Sequence, residues 1–223
     1  MTGRLAASLA HEINNPLQTV IGCLGLAEES IEEGDNEVET YVTMAHDELK
    51  RAARIVNRLR DLSRPTDVGQ REPADVNQIV DGVLKVSRKD LKNNQICVLR
   101  DLAEDLPHPE AVPDRIKQVL LNLVLNARDA MPMGGELTVR TRYDRQQGEV
   151  LIAIADEGAG IPDEVTDRLF DPFFSTKEEG TGLGLFVSRN IIQEQGGRID
   201  VESTVGDGAT FTVALPASAS RAD

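Results

Sequence analysis

Residues 114–131 read DRIKQVLLNLVLNARDAM. Arg115, Gln118, Asn122, Asn126 and Asp129 recur at steps of three and four, which places them in one polar stripe along a helix. Almost everything else there is apolar: Ile116, Val119, Leu120, Leu121, Leu123, Val124, Leu125, Ala127 and Met131. A helix that is apolar nearly all round belongs in an interior, and buried amides need partners. A nucleotide with a phosphate-bound Mg²⁺ would supply them, because Mg²⁺ takes few protein ligands and keeps waters and phosphates. The plainer alternative is a stripe facing solvent at a sheet edge. Asp114 is expected to cap the helix.

The sequence on either side of this helix has strand character. Upstream, Asp75 is placed to cap a helix over Asn77–Ser87, and Gln95–Leu102 reads as a strand. Downstream, Glu136–Tyr143 and Glu149–Asp156 alternate at period two around Gln146-Gln147-Gly148, as a hairpin does. A helix over Leu183–Gln195 is stopped by Gly196-Gly197. Arg198–Ser203 and Ala209–Leu215 form a second hairpin. Strands with about three amphipathic helices imply a sheet covered by helices on one face. Residues 217–223 are a small, polar tail.

The first 64 residues have a different texture, with Pro16 their only proline. Leu5, Leu9, Ile13, Leu17, Val20, Leu24, Ala27 and Ile31 recur at helical spacing. Val42, Ala45, Leu49, Ala52, Val56 and Leu59 repeat it after Gly34. Gly34 suits the stop of the first helix, and Asn36 with Glu39 resembles a capping pair for the second. One hairpin cannot bury both stripes by itself, so a dimeric four-helix bundle is expected; packing against the chain's own second domain is the alternative. Residues 65–72, with Pro65 and Gly69, read as a linker.

Composition excludes several functions. Lys and Arg total 24 against 38 Asp and Glu, a net charge of −14 over 223 residues. That balance argues against nucleic-acid binding and against docking on an anionic membrane. Five Phe, two Tyr and no Trp leave few platforms for base stacking. Two cysteines, Cys23 and Cys97, make no disulfide framework, and no apolar run approaches the roughly 20 residues of a membrane span. A cytoplasmic setting is expected.

Four stretches carry chemistry. His11 lies two positions from Leu9 and from Ile13, about 200° around the helix from each, and so faces away from the stripe. Glu12 follows it, Asn15 shares its face at i+4, and Pro16 costs the helix about 3 kcal/mol within one turn of the imidazole. A zinc-protease reading fails, since His-Glu-x-x-His needs a second imidazole where Asn15 stands. Asp156-Glu157-Gly158-Ala159-Gly160 ends an apolar strand, where a carboxylate can accept from an exocyclic amine while glycines let a planar base approach. Gly180-Thr181-Gly182-Leu183-Gly184-Leu185 opens a helix, and such starts hold phosphates with backbone N–H groups. Lys177 can add a counter-charge. Residues 158–181 read as a lid anchored by Phe170, Phe173 and Phe174.

The order of these stretches resembles that of bacterial sensor histidine kinases. His11-Glu12-Ile13-Asn14-Asn15-Pro16 is similar to their phosphoacceptor box. Asn122-x-x-x-Asn126, Asp156-x-Gly158-x-Gly160, Asp171-Pro172-Phe173-Phe174, Gly180–Leu185 and Gly206-Asp207-Gly208-Ala209-Thr210-Phe211 are similar to their ATP-binding boxes. The resemblance covers residues 4–216. It implies an α+β chain: residues 1–64 as a dimerisation and histidine-phosphotransfer hairpin, and 73–216 as an α/β sandwich with a mixed sheet and about three helices on one face.

By the same resemblance His11 accepts the phosphoryl group, Glu12 draws the proton from its other ring nitrogen, and Asn15 orients water in the reverse reaction. Asn126 ligates Mg²⁺, supported by Asn122. Asp156 reads adenine, and Asp129, Gly158, Gly160, Ile161 and Thr210 are further nucleotide-binding positions. Lys177, Gly180, Thr181, Gly182, Leu183 and Gly184 hold phosphates. The implied partners are ATP with Mg²⁺, a second copy of the chain and a response-regulator receiver domain. The implied sensor domain lies outside this chain, making it a kinase core, either excised or naturally sensorless. Rival readings are a gyrase-type ATPase, disfavoured by Asn rather than Glu at 122, and a non-catalytic phosphotransfer scaffold, disfavoured by the intact glycines.

Overall fold

The computed structural model describes the backbone of residues 2–33, 36–63, 70–176 and 182–217, and the side chains of 14–32, 36–50, 52–53, 70–176 and 182–217. The chain divides into two compact units, Met1–Pro65 and Thr66–Asp223.

The first unit is a helical hairpin. Helix α1 (Thr2–Glu33) runs through Pro16 without interruption, and α2 (Val38–Ser63) packs beside it. Its described interior is made of small groups: Pro16, Cys23, Ala27 and Ser30 of α1, with Ala45 and Ala52 of α2. The larger members of the two apolar stripes stay outside. Leu24 is 47% exposed, Ile31 66%, Val42 49% and Leu49 51%. Helix α2 starts one residue later than the Asn36–Glu39 pair requires. Its cap position is Glu37, whose main-chain oxygen accepts from the Tyr41 N–H at 3.1 Å while its carboxylate accepts from the Tyr41 hydroxyl at 2.6 Å. Gly34 lies outside the described residues.

The second unit is a sheet covered by helices. Its elements are β1 (Glu72–Pro73), α3 (Val76–Asn93), β2 (Ile96–Leu102), β3 (Glu110–Ala111), α4 (Pro113–Ala130), β4 (Gly135–Asp144), β5 (Glu149–Asp156), α5 (Asp163–Thr166), α6 (Gly184–Glu194), β6 (Arg198–Thr204) and β7 (Gly208–Pro216). Five strands form the mixed sheet in the order β2-β4-β5-β7-β6, parallel at β2–β4 and antiparallel elsewhere. Alternation puts Leu137, Val139, Val150, Ile152, Ile154, Phe211 and Val213 on one buried face, against α3, α4 and α6. Central to this layer is α4, with Ile116, Val119, Leu120, Leu123 and Val124 all at most 1% exposed.

Asp75 caps α3, accepting from the Gln78 N–H at 2.9 Å. Asp114 does not cap α4. Pro113 occupies the first turn, so the cap position falls on Val112 and the carboxylate of Asp114 stands exposed. Ordered structure begins before residue 73, because β1 pairs with β3 and the Arg71 guanidinium donates to the Glu194 carbonyl at the end of α6.

Candidate functional site

Asp156 continues an inward row. On β5, Val150, Ile152, Ile154 and Asp156 are buried at alternate positions, so the carboxylate faces the helical layer where the strand ends. It is 7% exposed, and its Oδ1 accepts the Gly158 N–H at 2.9 Å. The two glycines after it serve chain packing. A Cβ on Gly158 would lie 2.6 Å from the Ala130 carbonyl oxygen and 2.7 Å from Asp156 Oδ1. Gly160 has φ +70°, and a Cβ there would sit 2.1 Å from the Thr204 carbonyl oxygen. Backbone bonds from Ala159 to Ala130 (3.3 Å) and from Gly206 to Ala159 (2.9 Å) fix the turn between the end of α4 and the β6–β7 hairpin.

The amide stripe of α4 grades outward. Arg115, Gln118, Asn122 and Asn126 are half-buried, and Asp129 is exposed. Asn122 Nδ2 donates to Ser188 Oγ at 3.1 Å, and a Cβ on Gly184 would come 2.6 Å from Asn122 Oδ1. Asn122 thus seats the start of α6 against α4. Asn126 is one turn further along, between that contact and the Asp156 turn on Ala130. Asn122 and Ala130 are eight residues apart, about 12 Å along the axis.

Beside this row, Arg128 donates to Asp129 at 2.9 Å through Nε and also pairs with Asp90 of α3. Burial works against its charge, but the hydrogen bonds and attraction of Asp129 and Asp90 outweigh it and raise its pKa above the ordinary arginine value.

No side chain caps α6 among the described residues, so the N–H groups of its first turn are not taken by one. Leu183, fully buried, fixes that turn in the core. Gly182, at φ +61°, lies against the Phe173–Phe174 backbone: a Cβ there would meet the Phe173 carbonyl carbon at 2.3 Å, and Phe173 N–H donates to the Gly182 carbonyl at 3.1 Å. Phe173 itself adopts φ 68°, a strained backbone for a bulky residue and one that tends to mark functional turns. Phe170 is buried, Phe173 and Phe174 half-buried; Arg189 stacks on Phe170 and Arg168 on Phe174. Lys177, Gly180 and Thr181 lie outside the described residues.

Thr210 is not part of this cluster. It pairs with Ala155, whereas Asp156 pairs with Ala209, so period-two alternation turns Thr210 to the sheet's other face. Three contributors were missed in the sequence. Gly208 packs on the Asp156 carbonyl, where a Cβ would lie at 1.8 Å. Ser203 Oγ accepts from Ile161 N–H at 2.8 Å and donates to the Gly208 carbonyl at 2.7 Å, which holds half-buried Ile161 in place. Ser188 completes the Asn122 contact. Only the Gly206–Phe211 box carried a signal, for Gly208.

In the first unit, His11 and Glu12 lie on α1 with side chains outside the described residues. Asn15 is exposed one turn on, its carbonyl accepting from Thr19 Oγ1 at 3.2 Å.

Residues 1–67 match the His Kinase A (phospho-acceptor) domain, and residues 111–219 match the histidine kinase-, DNA gyrase B- and HSP90-like ATPase. The chain is similar to the sensor histidine kinase ZraS of Klebsiella oxytoca, 39% identical over 99% of this chain and 47% of that protein. It therefore spans about half the length of that relative. Among solved structures it is similar to the catalytic domain of histidine kinase ThkA, 31% identical with a TM-score of 0.58 over 65% of this chain and 93% of that one. Histidine kinase ThkA in complex with response regulator protein TrrA is 29% identical, with a TM-score of 0.80 over 97% of this chain and 62% of that one. A phospho-acceptor hairpin followed by an ATPase-type sheet domain places this chain in the histidine kinase family.

Proposed function

We propose that the chain is the core of an ATP-dependent protein-histidine kinase. Residues 1–64 dimerise and carry the acceptor, and residues 73–216 bind ATP. The phosphoryl group passes from ATP to His11 and then to an aspartate of a response-regulator receiver domain, in the cytoplasm. The observation that carries this reading is the meeting of three elements on α4: the Asp156 turn at Ala130, the amide stripe, and the start of α6 at Asn122. The ThkA structure, solved with a response regulator protein, supports the receiver domain as the next acceptor.

Each residue then has a task. Asp156 accepts from the exocyclic amine of adenine, and Ile161 packs beside the base. The N–H groups of the Gly182–Gly184 turn, with Gly180, Thr181 and Lys177, hold the phosphates. A half-buried carboxamide oxygen is a hard donor suited to Mg²⁺, and no group of three His, Cys, Asp or Glu able to hold a metal occurs among the described residues. That donor set fits a Mg²⁺ held by Asn126 and by the nucleotide's own phosphates, where it supplies charge neutralisation. Asn122 keeps the phosphate-binding helix seated and offers no carboxylate to activate water. Glu12 draws the proton from one His11 nitrogen so that the other attacks in line. Asn15 orients water when the kinase dephosphorylates its regulator.

Incubation with γ-labelled ATP separates this reading from its rivals. Acid-labile, base-stable label on the protein supports the kinase. Release of free phosphate alone would favour a gyrase-type ATPase, and neither product would favour a phosphotransfer scaffold.

A further inference from the structure

One edge of the sheet opposes the charge of the chain as a whole. Strand β2 stands at the end of the strand order and pairs only with β4, so its outer N–H and C=O groups have no strand partner among the described residues. Between β2 and α3 runs a cleft of about 740 Å³. Lys85, Arg88 and Lys92, at i, i+3 and i+7 on one face of α3, line it together with Arg100 of β2. Arg100 is paired at 3.0 Å with Asp81, the one carboxylate in the lining. The three α3 cations are exposed, and no described carboxylate comes within ion-pair distance of them. They form a cationic patch on a chain of net charge −14.

We propose that this cleft is a docking site for an acidic segment of another protein, bound in extended conformation as a sixth strand along β2. Charge complementarity selects the acidic partner, and the open edge selects its conformation. Outward backbone groups of a strand are satisfied in series only by another extended backbone, whose alternate side chains then enter the cleft. Carboxylates at those positions meet Lys85, Arg88 and Lys92. On the sheet's other face, Leu99, 46% exposed, offers apolar contact to the intervening side chains. A nucleic acid or an anionic lipid would satisfy the cations and leave the edge unpaired. The acidic remainder of the chain also repels an extended polyanion more than a short segment, since screening confines a short ligand's interaction to about 8 Å. This inference does not rest on the kinase reading.

The test uses the full chain and a fluorescent seven-residue peptide of alternating Glu and Val, matched to the length of β2. Binding should weaken at least ~tenfold in the Lys85→Glu/Arg88→Glu/Lys92→Glu variant and fall as salt rises from about 50 to 300 mM. The amides of residues 96–102 should gain protection from hydrogen exchange on binding. A peptide of the same charge with proline in place of two valines should bind at least ~tenfold more weakly. Circular dichroism and a thermal melt of the triple variant check that it folds. The proposal is overturned if the peptide does not bind, if the triple variant or the proline peptide binds as well, or if only phosphatidylserine vesicles or DNA bind.

Discussion

In the proposed function, Asp156 and Asn126 divide the recognition of one ligand between two chemistries. Asp156→Asn keeps the size and removes the anionic acceptor, and a hydrogen bond to a charged group is worth roughly 1.5–3 kcal/mol. ATP should then bind at least ~tenfold more weakly, with less preference over GTP. Asn126→Asp sets a carboxylate beside the phosphates and should impair Mg²⁺-dependent transfer more than adenosine binding. Calorimetry with ATP, GTP and adenosine, with and without Mg²⁺, reads both patterns; unchanged base preference in Asp156→Asn would contradict the assignment. The glycines make a separate prediction. Gly160→Ala combines φ +70° with an oxygen 2.1 Å from the new Cβ and should cost roughly 2–4 kcal/mol. Gly148 has φ +68° and open space around it, so Gly148→Ala should cost only about 1–2 kcal/mol. Equal losses in thermal melts would mean that packing is not what Gly160 supplies. The Asp156 turn was legible in the sequence as a motif, but its packing role and the turning away of Thr210 were not. The first depends on Ala130 and Thr204 coming against the turn, and the second on which residue of β7 pairs with Asp156.

At the scale of elements, two aspartates that look alike in sequence separate. Asp75 holds the first turn of α3 through the Gln78 N–H, so Asp75→Ala should cost about 1 kcal/mol in urea melts. Asp114 sits inside the first turn of α4 with no cap to make, and Asp114→Ala should cost only a few tenths of a kcal/mol through the helix dipole. Equal losses would contradict the cap assignment. Pro113 was the local signal that decides between them, since proline favours the first helical position and moves the cap upstream. The long elements were legible because hydrophobic period is a property of the segment itself. Strands β1 and β3, of two residues each, and the single turn of α5 are too short to show any period, and β1 exists only through its partner.

The exposed stripe on the hairpin is an expectation about the whole molecule. Among the described residues small groups fill the seam between α1 and α2, which leaves Leu24, Ile31, Val42 and Leu49 as an apolar face that a second hairpin can cover. Light scattering should report twice the chain mass, and Leu24→Glu/Leu49→Glu should report the single mass with the second unit still binding ATP. A wild-type monomer at micromolar concentration would contradict dimerisation. The sequence held the two stripes but not their partition, because which members meet inside the hairpin depends on helix rotation. The proposed phosphoryl transfer needs both units, and its most direct measurement is labelling by γ-³²P-ATP of the wild type and of His11→Gln. The account predicts acid-labile, base-stable label on the wild type and none on His11→Gln, with nucleotide affinity retained. Label that persists in His11→Gln, or that moves to His46 or His108, would contradict it.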